Sequence, residues 1–227
     1  FETTHLGPNS VFVDLGSGVG NCVVQAALAA GATAYGFENM AHASRLARLQ
    51  VGEAERRARM WGLGAGAIKV VEADFTTCAE VGEVLRRADV VLVNNEVFTA
   101  KLNQSLSWLF LDLPPTARIV SLKPFVPDKF VLSSHNANSP LAILNQHPAR
   151  RYRPGSVSWK MEGGSYYVAR VDRARVERFQ EREREREART REKERRRKER
   201  REGSAATSSA AGAASDGAMS REVSRQG

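Results

Sequence analysis

Apolar residues recur along the first two thirds of this chain in two rhythms. Short, nearly continuous apolar runs at residues 11–14, 34–37, 68–71, 88–93 and 118–122 read as buried strands. Helix-period stretches alternate with them, at 22–30, 41–61 and 100–111. In the longest of these, Leu46, Leu49, Ala54, Ala58 and Trp61 are expected to form the buried stripe, with Arg45, Arg48, Glu53, Arg56 and Arg57 mostly opposite. Strand and helix in alternation predict an α/β domain with a mainly parallel, doubly wound sheet. Beyond residue 123 the rhythm changes. Residues 130–133, 157–159 and 166–171 read as strands without long helices between them, and the last two, split by Glu162-Gly163-Gly164, as a hairpin that closes the sheet.

The first strand leads into the stretch around which the domain is organised, VFVDLGSGVGN at residues 11–21. A strand, a glycine-rich turn and a helix in this order bring backbone close to a nucleotide-like ligand. The spacing is G-x-G-x-G, and the dinucleotide fingerprint wants its third glycine where Asn21 stands. Asp14 comes just before the turn. A carboxylate there repels a pyrophosphate and suits a ligand that carries positive charge, such as the amino group or sulfonium of S-adenosylmethionine. A plain tight turn also uses glycines, and that reading stays open beside the cofactor reading.

Other strand ends carry residues of the same kind. Glu38 ends the second strand, about 20 residues past the turn, where an acid accepts hydrogen bonds from a ribose diol. Asp74 and Phe75 follow the third strand. There they can bond an adenine amino group and pack on its ring, or Asp74 can cap the turn into Thr76 and Thr77. Asn94 and Asn95 follow the strongest strand, and they fit either the positioning of a nucleophile or tight-turn chemistry. Trp159, Tyr166 and Tyr167 are candidates to line a narrow apolar channel, with alternate ones facing the core.

Composition divides the chain. An ordinary globular mixture runs to residue 178, a charged stretch covers 179–202, and an Ala/Ser/Gly tail expected to be disordered covers 203–227. Residues 181–202 hold 12 Lys+Arg and 8 Asp+Glu, with opposite charges at helical spacing (Glu181–Arg184, Glu183–Arg186, Glu187–Arg191, Glu192–Arg196, Glu194–Lys198) and no apolar stripe. This predicts a solvated helix over 176–202 whose basic far end, Arg195 to Arg201, suits phosphates; a plain spacer helix is the alternative. The sequence pI near 9.9 favours anionic partners, among which nucleic acid is the commonest. The two cysteines are far apart, with Cys22 read as a buried helix residue and Cys78 at a loop or helix start, which suits a reducing compartment. The four histidines are scattered, so no metal site is expected. No apolar run reaches the ~18 residues of a membrane span. The chain starts only ten residues ahead of a core strand and is expected to be a piece of a longer protein.

Taken together, VFVDLGSGVGNCVVQAAL, VLVNNEVF, RIVSLKPF and GSVSWKMEGGSYYVARVD resemble the catalytic core of the disruptor-of-telomeric-silencing family, the fungal branch in particular, over roughly residues 5–175. The resemblance implies a Rossmann-like class I S-adenosylmethionine-dependent methyltransferase with a seven-stranded, mostly parallel sheet ending in an antiparallel hairpin. It implies a non-SET histone lysine N-methyltransferase that acts in the nucleus, in telomeric silencing, on the globular core of histone H3 within nucleosomes. Nucleosomal DNA is an implied partner, with the basic extension contacting it. Carried across by position, Asp14, Gly16, Ser17, Gly18 and Asn21 would hold the methionine part of the cofactor. Glu38 would hold the ribose, and Asp74 and Phe75 the adenine. Asn94 and Tyr167 would be catalytic, and Phe98, Trp159, Tyr166 and Tyr167 would wall the lysine channel.

Two departures stand out: Glu96 occupies a position often aromatic in the family, which makes one channel wall more polar, and the family's cofactor-binding loop ahead of the first strand is not in this sequence. The competing readings are a methyltransferase of nucleic acid or small molecules, and a non-catalytic nucleosome-binding module.

Overall fold

β1 (Val11–Leu15) pairs with β2 (Thr33–Glu38) on one side and β4 (Val90–Val93) on the other, all parallel. This is the pair of contacts a central strand makes at the point where strand order reverses. β3 (Ile68–Glu72) extends the sheet beyond β2, and β5 (Arg118–Ser121) beyond β4, again in parallel. The computed structural model describes residues 2–157 and 160–222, with side chains at 3–157 and 160–199. Two compact units divide it, Phe1–Glu177 and Arg178–Gly227.

The sheet is finished by antiparallel strands. β8 (Gly164–Val171) runs antiparallel to β5, and β6 (Leu144–Gln146) antiparallel to β8, giving the path β3-β2-β1-β4-β5-β8-β6. Those seven strands match the expected Rossmann-like sheet. An eighth, β7 (Arg150–Tyr152), pairs with the start of β8 off this path. The hairpin partner expected at 157–159 is not a strand in its described part. Val157 makes a lone bridge to Lys160, while Ser158 and Trp159 lie outside the described residues, so β6 and β7 take the places beside β8. Residues 130–133 are likewise irregular rather than a strand. The Asn136 side chain explains why. It accepts from the Ser133 amide at 2.8 Å and donates to the Val131 carbonyl at 2.8 Å, capturing backbone groups that a ladder would need.

Helices cover both faces, as a parallel sheet requires. α1 (Asn21–Ala30) packs Val23, Ala26 and Ala27 with Phe12, Ala34 and Val90 on one face. α3 (Ala79–Leu85) and α4 (Ala100–Leu109) pack Val81, Val84, Leu85 and Leu106 with Val13, Leu15, Val91, Val93 and Ile119 on the other. Alternation along β1 sends Phe12 to the first core, and Val13 and Leu15 to the second.

α2 (Ala41–Met60) corrects the expected stripe. Its buried residues are Ser44, Ala47, Val51 and Ala58, while Leu46, Leu49 and Trp61 are exposed. The helix crosses close to the glycine turn, where a Cβ on Gly20 would lie 3.4 Å from that of Ala47, and only small side chains fit between. Cys22, expected to be buried, is exposed near the start of α1. α5 (Arg173–Glu222) begins three residues earlier than expected and continues past residue 202 through the Ala-rich stretch read as tail. Within its charged part, Glu183–Arg186, Glu187–Arg191 and Glu192–Arg196 pair as expected, at 3.7, 3.9 and 2.7 Å, joined by Arg195–Glu199 at 3.4 Å.

Packing is tight beneath the glycine turn. A Cβ on Gly36 of β2 would lie 2.8 Å from both Ser17 Oγ and Val23 Cγ2. Gly36→Ala should therefore destabilise the domain by about 1–3 kcal/mol through overpacking, measured as a drop in the urea midpoint. Gly7→Ala, with nothing within 4 Å of the new carbon, should leave the midpoint nearly unchanged.

Candidate active site

The sheet register sets out the site. Val71, Phe37, Leu15, Val93, Ser121 and Tyr167 lie in one row across β3, β2, β1, β4, β5 and β8. The residues that follow the row on the inner strands, Glu38, Gly16 and Asn94, leave the sheet side by side at its carboxyl edge. That edge, beside the strand where the order reverses, is where open α/β sheets hold ligands.

The turn is folded onto β2. The Gly16 and Ser17 amides both donate to the Phe37 carbonyl, at 2.9 and 3.0 Å, and the Gly20 amide donates to the Ser17 carbonyl at 2.9 Å. Gly16 has φ 88°, and a Cβ there would also lie 3.2 Å from the Phe98 ring. Glu38 is buried and bridges two backbone amides, Gly18 at 2.8 Å to Oε2 and Met40 at 2.8 Å to Oε1. A carboxylate has about four acceptor sites, so each oxygen of Glu38 keeps capacity for a further donor.

Asp14 stands apart. It is only 4% exposed, and its carboxylate accepts no hydrogen bond among the described residues. Burial first, and the neighbouring charge of Glu38 second, push its pKa up to about 7. A buried acid in this condition needs a proton or a cation. Ser17 Oγ is also buried without a hydrogen-bond partner among the described residues, but it faces Gly36 and Val23 under the turn. Ser17 thus offers its backbone to the turn, not a side chain to its open side.

The remaining candidates divide. Phe75 is buried and meets Phe98 at 6.1 Å between ring centroids. Asp74 Oδ1 accepts from the Thr76 amide at 2.8 Å and its hydroxyl at 2.6 Å, which holds its pKa below the usual carboxylate value. The turn-cap reading of Asp74 is thus realised. Asn21 accepts from Gln50 at 2.7 Å, which ties the start of α1 to α2. Asn94 is half-buried and its side-chain amide makes no hydrogen bond among the described residues, whereas Asn95 is fully engaged in the fold. The pair read as ambiguous in sequence differs in structure, with Asn95 bonded into the fold and the Asn94 amide left without a bond among the described residues. Asn95 as a structural amide was missed, and its only sequence signal was an apolar run ending in two amides.

The tyrosines separate too, because neighbours on a strand point to opposite faces. Tyr166 lies on the face of Asp14, Leu92, Val120 and Val168, and lines an apolar groove of about 280 Å³ with Phe12, Leu92, Val120, Cys22 and Gln25. Tyr167 lies on the other face, in a cavity of about 440 Å³ with Phe130, His147 and Arg175. The two point to opposite faces of β8, and Tyr166 is the one that shares the face of Asp14. Trp159 lies outside the described residues.

Residues 1–171 match the family described as "Histone methylation protein DOT1". The chain belongs to this family. Relatives named "Histone-lysine N-methyltransferase, H3 lysine-79 specific" include those of Cryptococcus neoformans (55% identical over 179 residues), Mycosarcoma maydis (52%) and Yarrowia lipolytica (49%). These alignments cover 78%, 78% and 79% of this chain but 28%, 22% and 36% of the relatives, so this DOT1-family chain corresponds to a minor part of their length. Among solved structures, an RNA methyltransferase from Salinibacter ruber in complex with S-adenosyl-L-homocysteine aligns with TM-score 0.49 and 21% identity, over 76% of this chain and 87% of that one. A precorrin-6y C5,15-methyltransferase from Geobacter metallireducens aligns with TM-score 0.48 and 14% identity, over 75% and 84%.

The Asp14 pKa has a consequence for folding. Its folded value, about 7, lies above the ordinary 3.8. The protonated side chain is therefore favoured in the folded state, and stability is highest below pH 4 as far as this group decides it. The contribution is lost as pH rises from about 4 through about 7. Asp14→Asn should stabilise the ligand-free domain at pH 8, on the order of 3 kcal/mol, and the gain should vanish towards pH 4. Urea unfolding of both proteins across pH 4–8 checks the sign and the window.

Proposed function

We propose that this chain is the catalytic core of a histone-lysine N-methyltransferase, with the class I S-adenosylmethionine-dependent fold, that methylates a lysine on the globular surface of histone H3 in nucleosomes. The observation that carries the reading is the buried, unpaired Asp14 beside the glycine turn, in a chain of the DOT1 family. The names of the relatives specify lysine-79 of H3, and they support that residue as the target and the nucleus as the place of action.

The residues present fit S-adenosylmethionine. Asp14 offers a carboxylate to a cationic amino group, the turn opens backbone beside it, and Glu38 keeps acceptor capacity for a ribose diol. Phe75 and Phe98 offer apolar ring surface at the end of β3 and over Gly16. Asp74 can take an adenine amino group only on what its bonds to Thr76 leave free. When bound, the cofactor supplies an electrophilic methyl group on sulfur.

The chain's own task is to present a lysine. A lysine amine has a reference pKa of about 10.4, and only its neutral form attacks carbon. An apolar passage disfavours the ammonium and helps it shed its proton to solvent. We assign alignment of the amine to the free amide of Asn94 and the ring of Phe98, and keep Tyr166 and Tyr167 as candidate channel walls on opposite faces of β8. The basic end of α5 supports a contact with nucleosomal DNA, and affinity for nucleosomes should fall steeply with salt if it is made.

Transfer of labelled methyl from S-adenosylmethionine should mark histone H3 in nucleosomes and leave free histone octamers unmarked. Equal labelling of naked DNA or RNA overturns the substrate. Asn94→Ala should lower turnover at least a hundredfold with cofactor affinity within a few-fold, and retained turnover removes Asn94 from its role. Cofactor binding should weaken about tenfold per pH unit below the Asp14 pKa of about 7. Calorimetry at pH 6 in buffers of different ionisation enthalpy should show close to one proton released per ligand bound through Asp14, falling to about a tenth of a proton at pH 8.

A further inference from the structure

Asn95 makes four hydrogen bonds while 1% exposed. Its Oδ1 accepts from the Leu122 amide at 3.0 Å and the Lys123 amide at 2.8 Å. Its Nδ2 donates to the Lys123 carbonyl at 3.1 Å and to Asn103 Oδ1 at 3.0 Å. Two donors and two acceptor sites are all that a primary amide has. The side chain is thus saturated, and its two ends cannot be exchanged. Asn103 fixes the direction further, because its own Nδ2 donates to the Thr99 carbonyl at 3.2 Å, and Thr99 caps α4 through the Leu102 amide at 3.2 Å.

Lys123 answers from the other side. Its Nζ donates to the carbonyl of Glu96, one residue beyond Asn95. The loop after β4 and the loop after β5 therefore hold one another through backbone and side chain alike. Little else shapes the first loop at its tip, where Glu96 is exposed and Val97 is 87% exposed. Asn94 precedes the clasp directly. Phe98 follows it, with its amide donating to the Asn95 carbonyl at 3.3 Å and its ring against Gly16.

We infer that Asn95 and Lys123 are positioning residues, a reciprocal clasp that sets Asn94 and Phe98 for the reaction; this rests on the reading of the site given above. Neither reaches the reacting atoms through the bonds it makes. Their contribution is to fix the loop that carries the groups that do, where an error of about 1 Å can cost a hundredfold in rate.

Lys123→Met keeps the stem and removes the donor from an exposed side chain, so folding should be unaffected. It should lower kcat about tenfold or more, leave KM for nucleosomes and the Kd for S-adenosylhomocysteine within about twofold, and leave the melting temperature unchanged. Lys123→Arg, which restores a donor, should recover most of the lost kcat. Asn95→Asp keeps the shape but turns an acceptor towards the Lys123 carbonyl and Asn103 Oδ1, and should lower kcat further. A Lys123→Met protein with unchanged kcat, or with losses in kcat and cofactor affinity that move together and are not recovered by arginine, overturns the clasp.

A second readout needs no turnover. In chain labelled with ¹⁵N-asparagine, the side-chain amide signal of Asn94 should shift and broaden in Lys123→Met. An unchanged Asn94 signal overturns the inference. Absence of methyl transfer by the unmodified protein refutes the enzyme reading instead, and the Asn94 signal still decides the clasp.

Discussion

A carboxylate buried at the end of the central strand, with no hydrogen-bond partner among the described residues, is the constraint around which this domain makes sense. Asp14 sits where β1 meets the glycine turn, flanked by β2 on one side and β4 on the other. Folding places it there because Phe12, Val13 and Leu15 on the same strand are needed by two cores at once. The acid is carried into the interior by apolar neighbours, and no hydrogen bond among the described residues offsets its desolvation. A cationic ligand group would offset that cost, and the proposed cofactor assignment rests on this.

The rest of the site is arranged about this group by hydrogen bonds to backbone. Glu38 could have been one more acid facing solvent; instead it clamps the Gly18 and Met40 amides and so joins the turn to the start of α2. Phe98 closes over Gly16 from the loop after β4, and that loop is itself tied to the end of β5. The loops that carry the glycine turn, Glu38 and Phe98 are thus held by neighbouring strand ends, and the candidate site residues share one scaffold.

Much of this was legible in the sequence, for identifiable reasons. The parallel strands are short, fully buried and separated by helical periods, so β1 to β5 were found within a residue or two. The glycine turn, Asp14 and Glu38 followed from chemistry at fixed spacing. What failed depended on contacts between distant residues. The leucines of α2 look like a core stripe, but the helix turns Ser44, Ala47, Val51 and Ala58 inward, with Ala47 against Gly20, so Leu46 and Leu49 face water. The strand expected at 130–133 lost to a local Asn136 turn whose energy no apolar pattern records. Tyr166 and Tyr167 are equivalent in composition, and only the register of β8 against Ser121 of β5 shows which one shares the face of Asp14. Asn94 and Asn95 are chemically identical, and their division of labour is decided by the two amides of Leu122 and Lys123.

The ionisation of Asp14 tests the central claim most directly. The carboxyl carbon of Asp14, followed by ¹³C NMR across pH, should titrate at about 7 in the ligand-free protein. With S-adenosylhomocysteine bound, its amino group should pull that titration down by about two units or more. A ligand-free value near the ordinary 3.8, or one near 7 that the ligand does not move, would contradict the assignment of this carboxylate to a cationic cofactor group.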